Sequence, residues 1–172
     1  FVCLGKSEAS SGHNLGVDTI ILARTGLEAW AAAANVKEPK VPAGDVAGLG
    51  RALSDPDPVA RGLAAMALRG EGKGALPALD ALAAALKDGD PNVRMMSANA
   101  IAAIGAEAAP AVPALMAAAS VQDEQVHVLR SVAAALGAIG KPAAAPALPV
   151  LKELAKMPRV RWAAESAIQK IE

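Results

Sequence analysis

Two aspartate pairs, Asp55/Asp57 and Asp88/Asp90, are the residues whose types and spacing come closest to a reactive site. Each is followed by an arginine, Arg61 or Arg94, six residues after its first member. Two nearby carboxylates can share general acid and base work when their environments push their pKa values apart. The same strings also read structurally. The second aspartate directly precedes a proline, Pro58 or Pro91, in both copies. Aspartate is a preferred N-cap and proline is favoured at the first helical position, so these strings open helices. Capping and turn formation account for all four carboxylates.

The other reactive side chains are isolated. His13 and His127 lie far apart, neither with a second ligand at helical spacing, and a zinc site takes three or four protein ligands. No metal and no cofactor is therefore expected, and His127 reads as a surface residue beside Gln125. Ser97 and Ser131 sit in alanine-rich patterns with no histidine placed as a base, so they read as small packing residues. Leu4-Gly5-Lys6-Ser7 resembles the end of a phosphate-binding loop but lacks the upstream glycine and strand. Cys3 is the single cysteine, which excludes an internal disulfide and a cysteine-based metal site. No catalytic residue is assigned.

The elements that position these residues are helical. Alanine, the best helix former, supplies 44 of 172 residues, and Val, Ile and Thr form no alternating runs. Lysine plus arginine equals aspartate plus glutamate at 17 each, which gives no general attraction to nucleic acid or to an anionic membrane. No apolar run is read as a membrane span of roughly 20 residues. The chain opens at Phe1 without a methionine, which reads as a piece of a longer protein or a processed product.

Residues 1–43 read as an irregular N-terminal segment. It contains one helix over 17–36, with Ile20, Ala23, Leu27, Trp30, Ala31 and Ala34 on one face, and a proline linker over 37–43. Arg24, 37 residues before Arg61, raises the idea of a remnant repeat. From residue 44 the chain becomes periodic, which decides the architecture. Pro77, Pro113 and Pro149 are spaced by 36, as are Pro110 and Pro146; Ala102-Ala-Ile-Gly105 returns as Gly137-Ala-Ile-Gly140 after 35.

The spacing predicts four helix pairs over 44–70, 75–105, 108–140 and 143–172. First helices are expected near 44–53, 76–87, 110–119 and 145–156, second helices near 58–69, 91–104, 124–139 and 158–171. Pro77 is expected in the first α-helical turn, where no intrahelical donor is lost. Gly105 is expected to end its helix in the left-handed conformation. Val93, Ser97, Ala100, Ile101 and Ile104 form an inner stripe. Helices this short are marginal alone in water, so each must bury its stripe against its partner and the next pair.

Residues 44–172 resemble HEAT repeats, in the bacterial HEAT-like variety. The residues that carry the resemblance are Asp55 with Arg61 and Asp88 with Arg94. It implies an all-α, right-handed α-solenoid of stacked helix-turn-helix units. It also implies a polar ladder of Asp55, Arg61, Asp88, Arg94, Asp123, Arg130 and Arg161. Two departures stand out. Leu129 occupies the expected arginine position, so Arg130 joins only through a one-residue insertion or bulge, and Ala155 stands where the fourth aspartate belongs. The ladder is expected to be strong between units one and two and frayed toward the C-terminus.

In such stacks the second helices line the concave side. Aligning the units places Gly62, Met95, Arg130 and Trp162 in one column and Met66, Asn99, Ala134 and Ser166 in the next. Met66, Met95, Asn99, Arg130, Trp162 and Ser166 are thus the candidate protein-binding surface, with Trp162 also read as closing the last unit. The expected function is a non-catalytic protein-interaction or scaffold module. Its partner would be another protein or another domain of the same chain, with no nucleic acid and no membrane span. The resemblance also raises an accessory domain at the C-terminal end of a sulfatase-like hydrolase. It raises, less well, a relative of HEAT-like DNA glycosylases or phycobilin lyases; zero net charge argues against the glycosylase.

Overall fold

A computed structural model describes residues 45–120 and 125–172. The segments expected over 1–16, 17–36 and 37–43, together with Arg24 and Asp123, lie outside the described residues. Eight α-helices follow in order among the described residues: α1 (Val46–Ala52), α2 (Pro58–Glu71), α3 (Leu79–Ala85), α4 (Pro91–Ile104), α5 (Val112–Ala119), α6 (Val126–Ile139), α7 (Leu148–Leu154) and α8 (Arg161–Ile171). They pack as successive antiparallel neighbours, α1 on α2, α3 on α4, α5 on α6 and α7 on α8. The second helices α2, α4, α6 and α8 stack on one another along their lengths. Successive first helices touch far less, so the second-helix layer is the tighter one. The result is an α-solenoid.

Local chemistry explains where the helices begin. Asp45 Oδ1 accepts from the Gly48 N–H at 2.8 Å at the start of α1. Asp57 Oδ1 accepts from Val59 N–H at 2.9 Å, and Asp90 Oδ1 from Asn92 N–H at 2.7 Å. These N-cap bonds satisfy donors that the first helical turn leaves unpaired. The preceding aspartates shape the turns: Asp55 Oδ1 accepts from Asp57 N–H and Asp88 Oδ1 from Asp90 N–H, both at 2.8 Å.

The first helices differ from expectation. The expected 76–87 helix divides into a 3₁₀ segment, Gly72–Ala78, and the two-turn α3; the same division gives Gly105–Ala111 before α5 and Ala145–Ala147 before α7. Pro77 and Pro110 lie inside 3₁₀ segments rather than in a first α-turn. A proline removes an N–H and crowds the carbonyl four residues back, so the chain runs in i→i+3 turns around Pro77, Pro110 and Pro146, while Pro113 and Pro149 sit in the first turns of α5 and α7, where no intrahelical donor is lost.

Three of the second helices, α2, α4 and α6, end on glycine. Gly72, Gly105 and Gly140 have φ of 55°, 80° and 68° with ψ of −124°, −140° and −167°. This is not the left-handed helical cap expected at Gly105. It is the extended, positive-φ region open essentially to glycine alone. After Gly72 and Gly105 it turns the chain sharply, so the following 3₁₀ segment packs back against the helix it left.

One buried core runs through the stack. Leu68, Leu82, Ile101, Ile104, Leu115, Leu136 and Leu151 are fully buried, as are Val93, Ser97 and Ala100 of the inner stripe. Alanine and glycine let the tight layer close: a Cβ on Gly137 of α6 would sit 2.9 Å from the Cα of Ala167 on α8. By length and composition alone the 29-residue run Pro91–Ala119 could cross a membrane, contrary to the expectation for this sequence. Gly105 turns that run into α4 and α5, and its apolar stripes are buried against neighbouring helices.

Candidate functional site

Two features could act: the polar turns and the outward face of the second helices. At the first turn, Arg61 makes a two-pronged bond to the carboxylate of the next unit. Its Nε donates to Asp88 Oδ2 at 2.6 Å and its Nη2 to Asp88 Oδ1 at 2.8 Å. The same guanidinium closes its own turn, with Nη1 donating to the carbonyls of Asp55 at 2.8 Å and Pro56 at 3.1 Å. The side chains are only 17% and 10% exposed, so this pair is less screened than a surface ion pair. The hydrogen bond from Arg61 holds the Asp88 carboxyl below its ordinary value, aided by the Asp90 N–H and the charge of Arg94 and opposed by burial. The same bond raises Arg61.

Arg94 repeats the turn-closing half, with Nη1 donating to the carbonyls of Asp88 at 2.7 Å and Gly89 at 3.2 Å. Arg161 repeats it again with Nε donating to the Ala155 carbonyl at 3.2 Å, although Ala155 has no carboxylate to offer. Each of these arginines therefore latches its own turn through main-chain oxygen six residues back. Only a carboxylate in the following unit adds the second bond. Asp55 takes part through its main chain, and its side chain shapes the turn instead of meeting Arg61.

Arg130 needs a correction. α6 runs unbroken over Val126–Ile139, 14 residues like α2 and α4, with no bulge to bring Arg130 into register. Leu129 occupies the arginine position, 4% exposed, while Arg130 is exposed with no hydrogen bond to a described residue. At this register an apolar side chain has replaced the guanidinium, and the aspartate that would have met it is Ala155. His127 also differs from its surface assignment: it is half-buried, and its Nε2 is enclosed without a hydrogen-bond partner. Ser97 Oγ is likewise buried and unpartnered. Among the described residues no three His, Cys, Asp or Glu cluster as metal ligands would.

The second feature is an open apolar groove of about 230 Å³ between α2 and α4. It is lined by Val59, Leu63 and Met66 on one side and by Met96 and Asn92 on the other, with Asp90 at one end. Val59 is 54% and Met66 47% exposed. Of the candidate surface residues the groove takes in Met66. Met95 and Asn99 are half-buried and do not line it, Ser166 is half-buried on α8, and Arg130 and Trp162 lie on later helices. Column alignment does not find Val59, Leu63 or Met96. Spacing could have found them, since Val59 and Leu63, like Asn92 and Met96, are four apart on one helix face. Trp162 is 77% exposed, so it does not close the end of the last unit.

This geometry has counterparts in known proteins. Residues 46–119 match the family of HEAT repeats. A solved structure of human deoxyhypusine hydroxylase in complex with glycerol is 31% identical with a TM-score of 0.63; the match covers 90% of this chain and 56% of that one. An engineered protein of known structure is 26% identical with a TM-score of 0.60, over 74% of this chain and 62% of that one. The chain thus spans less than two thirds of the length of either. No curated protein sequence gives a match. Residues 46–119 are thus a run of HEAT repeats.

Proposed function

We propose that the chain is a protein-interaction or scaffold module that uses the second-helix layer as its docking face and performs no chemistry of its own. The observation that carries this reading is the groove between α2 and α4. It exposes Val59 and Met66 to solvent beside Met96, on a layer whose backbone is held by the Arg61–Asp88 latch. Solvent-exposed methionine on a rigid support is an adaptable contact for a partner's apolar side chain. The described aspartates of the turns support the non-catalytic part of the reading, because Asp45, Asp55, Asp57, Asp88 and Asp90 each accept a backbone N–H. The partner in this reading is another protein or another domain of a longer chain.

The test is affinity capture by the full chain, compared with Met66→Glu and Met96→Glu variants that keep wild-type helical circular dichroism. The expected result is a partner recovered by the wild type and lost by both variants. A partner retained at full strength by both would place the docking face elsewhere, and a turnover activity that survives purification would overturn the non-catalytic reading.

A further inference from the structure

Trp162, at 77%, is the most exposed large apolar side chain among the described residues. It stands in the first turn of α8, three residues after Arg159, with Met157 38% exposed in the turn before it. The cations near it in sequence are not all neutralised. Lys152 pairs with Glu172 at 3.2 Å and Lys156 with Glu153 at 2.8 Å. Arg159 is exposed and makes no ion pair or hydrogen bond with a described residue, and Arg161 spends only its Nε, on the Ala155 carbonyl. Glu165, one turn further on, is the acid nearest in sequence on α8, one carboxylate against the two guanidinium groups of Arg159 and Arg161. Tryptophan and arginine are over-represented at the energetic centres of protein interfaces, and methionine is enriched in interfaces generally.

We propose that this patch binds an acidic peptide segment of a partner protein, with an apolar side chain laid on Trp162 and Met157 and carboxylates paired to Arg159 and Arg161. Free guanidinium edges can take carboxylates in two-pronged geometry, and the exposed indole supplies apolar area at little entropic cost. The patch is too small for the alternatives. A nucleic-acid groove takes a basic stripe on a positively charged domain, whereas this chain has formal net charge +0. Recognition of an anionic lipid surface takes clusters of about four to eight basic residues. The inference rests on reading the stack as an interaction module, and it uses a surface separate from the groove.

The experiment uses the full chain labelled with fluorotryptophan, whose two resonances are assigned with Trp162→Phe. The probe is a synthetic peptide alternating glutamate with leucine and phenylalanine; its lysine counterpart, a single-stranded oligothymidylate and phosphatidylserine vesicles are the comparators. The acidic peptide is expected to shift the Trp162 resonance saturably. Binding read by anisotropy of the labelled peptide should weaken about tenfold or more with Arg159→Glu or Trp162→Ala and be largely kept by Arg159→Lys. Both altered side chains are exposed, so unchanged circular dichroism is expected. An unmoved Trp162 resonance, an equal response to the lysine peptide, or tighter binding of the oligonucleotide or the vesicles would overturn the proposal. Because the probe is defined and read at Trp162, its failure is distinguishable from failure of the Met66 and Met96 variants.

Discussion

The junction of the first two units and the junction of the last two use the same backbone plan and hold it by different means. Between α2 and α4 the turns are capped by aspartates and joined by the Arg61–Asp88 bond. Between α6 and α8 neither helix has a side-chain cap, Leu129 and Ala155 replace the arginine and aspartate, and Gly137 lets the backbone of Ala167 approach. Polar specification thus gives way to close contact. The repeat therefore needs a closed turn and a buried stripe, while the inter-unit carboxylate is an addition. The turn-closing bond to a carbonyl survives at Arg161 without any carboxylate. The exposed pair Lys73–Glu107 lies at neither junction, joining the 3₁₀ segments before α3 and α5, and adds little.

Truncating the shared core should have the greatest effect. Leu82→Ala and Leu136→Ala, one near each junction and both fully buried, should each cost roughly 2–5 kcal/mol in denaturant unfolding. Similar losses are expected because burial is common to both ends; a negligible loss at either would deny it a shared core.

Asp88→Ala should cost on the order of 2 kcal/mol at neutral pH, since it strips a charge-assisted bond from a mostly buried pair. The pH dependence has a definite sign. The folded state holds the Asp88 carboxyl below its ordinary 3.8, so the unfolded chain binds the proton first as pH falls. Its stabilisation is full well above 3.8 and is lost as pH drops through the folded value. Asp88→Asn should remove that part of the acid limb, and an unchanged acid midpoint would show that the latch stores no such energy. Arg94→Ala should destabilise more than Arg161→Ala, because Arg161 is held by its long Nε bond to the Ala155 carbonyl and lies largely in solvent. Equal thermal midpoints for the two would remove the distinction between the junctions.

Two glycine substitutions have smaller and opposite effects. Gly137→Ala gains roughly 1 kcal/mol of helix propensity but forces a Cβ against the Ala167 backbone, which costs about 1–3 kcal/mol, so net destabilisation is expected. Gly62→Ala in α2 meets nothing within 4 Å and should stabilise by up to about 1 kcal/mol. If both shift thermal stability the same way, close helix approach is not what distinguishes the last junction.

Much of this was legible in residue order because its causes are local. Asp-Pro at 57–58 and 90–91 marks two helix starts, since cap and proline act within one turn. Gly105 marks a helix stop, although its backbone angles come from the packing of the following 3₁₀ segment. The division of the first helices was harder to read, because prolines at 77 and 110 disrupt i→i+4 bonding without breaking the apolar pattern. At Arg130 matching residue types suggest an insertion, while the buried Leu129 keeps α6 continuous.

By itself the sequence determined the helical class, the repeat period, the caps and the inner stripe, all of which depend on neighbours within a few positions or on a periodicity that survives stacking. Only the tertiary structure decided which carboxylate Arg61 holds, that Met96 rather than Met95 faces the groove, that Gly137 is a point of helix contact, and that Trp162 stands in solvent. Each of these depends on the rotation and spacing of one helix against the next. A shift of one residue turns a side chain by about 100° around the helix, enough to move it from groove to seam.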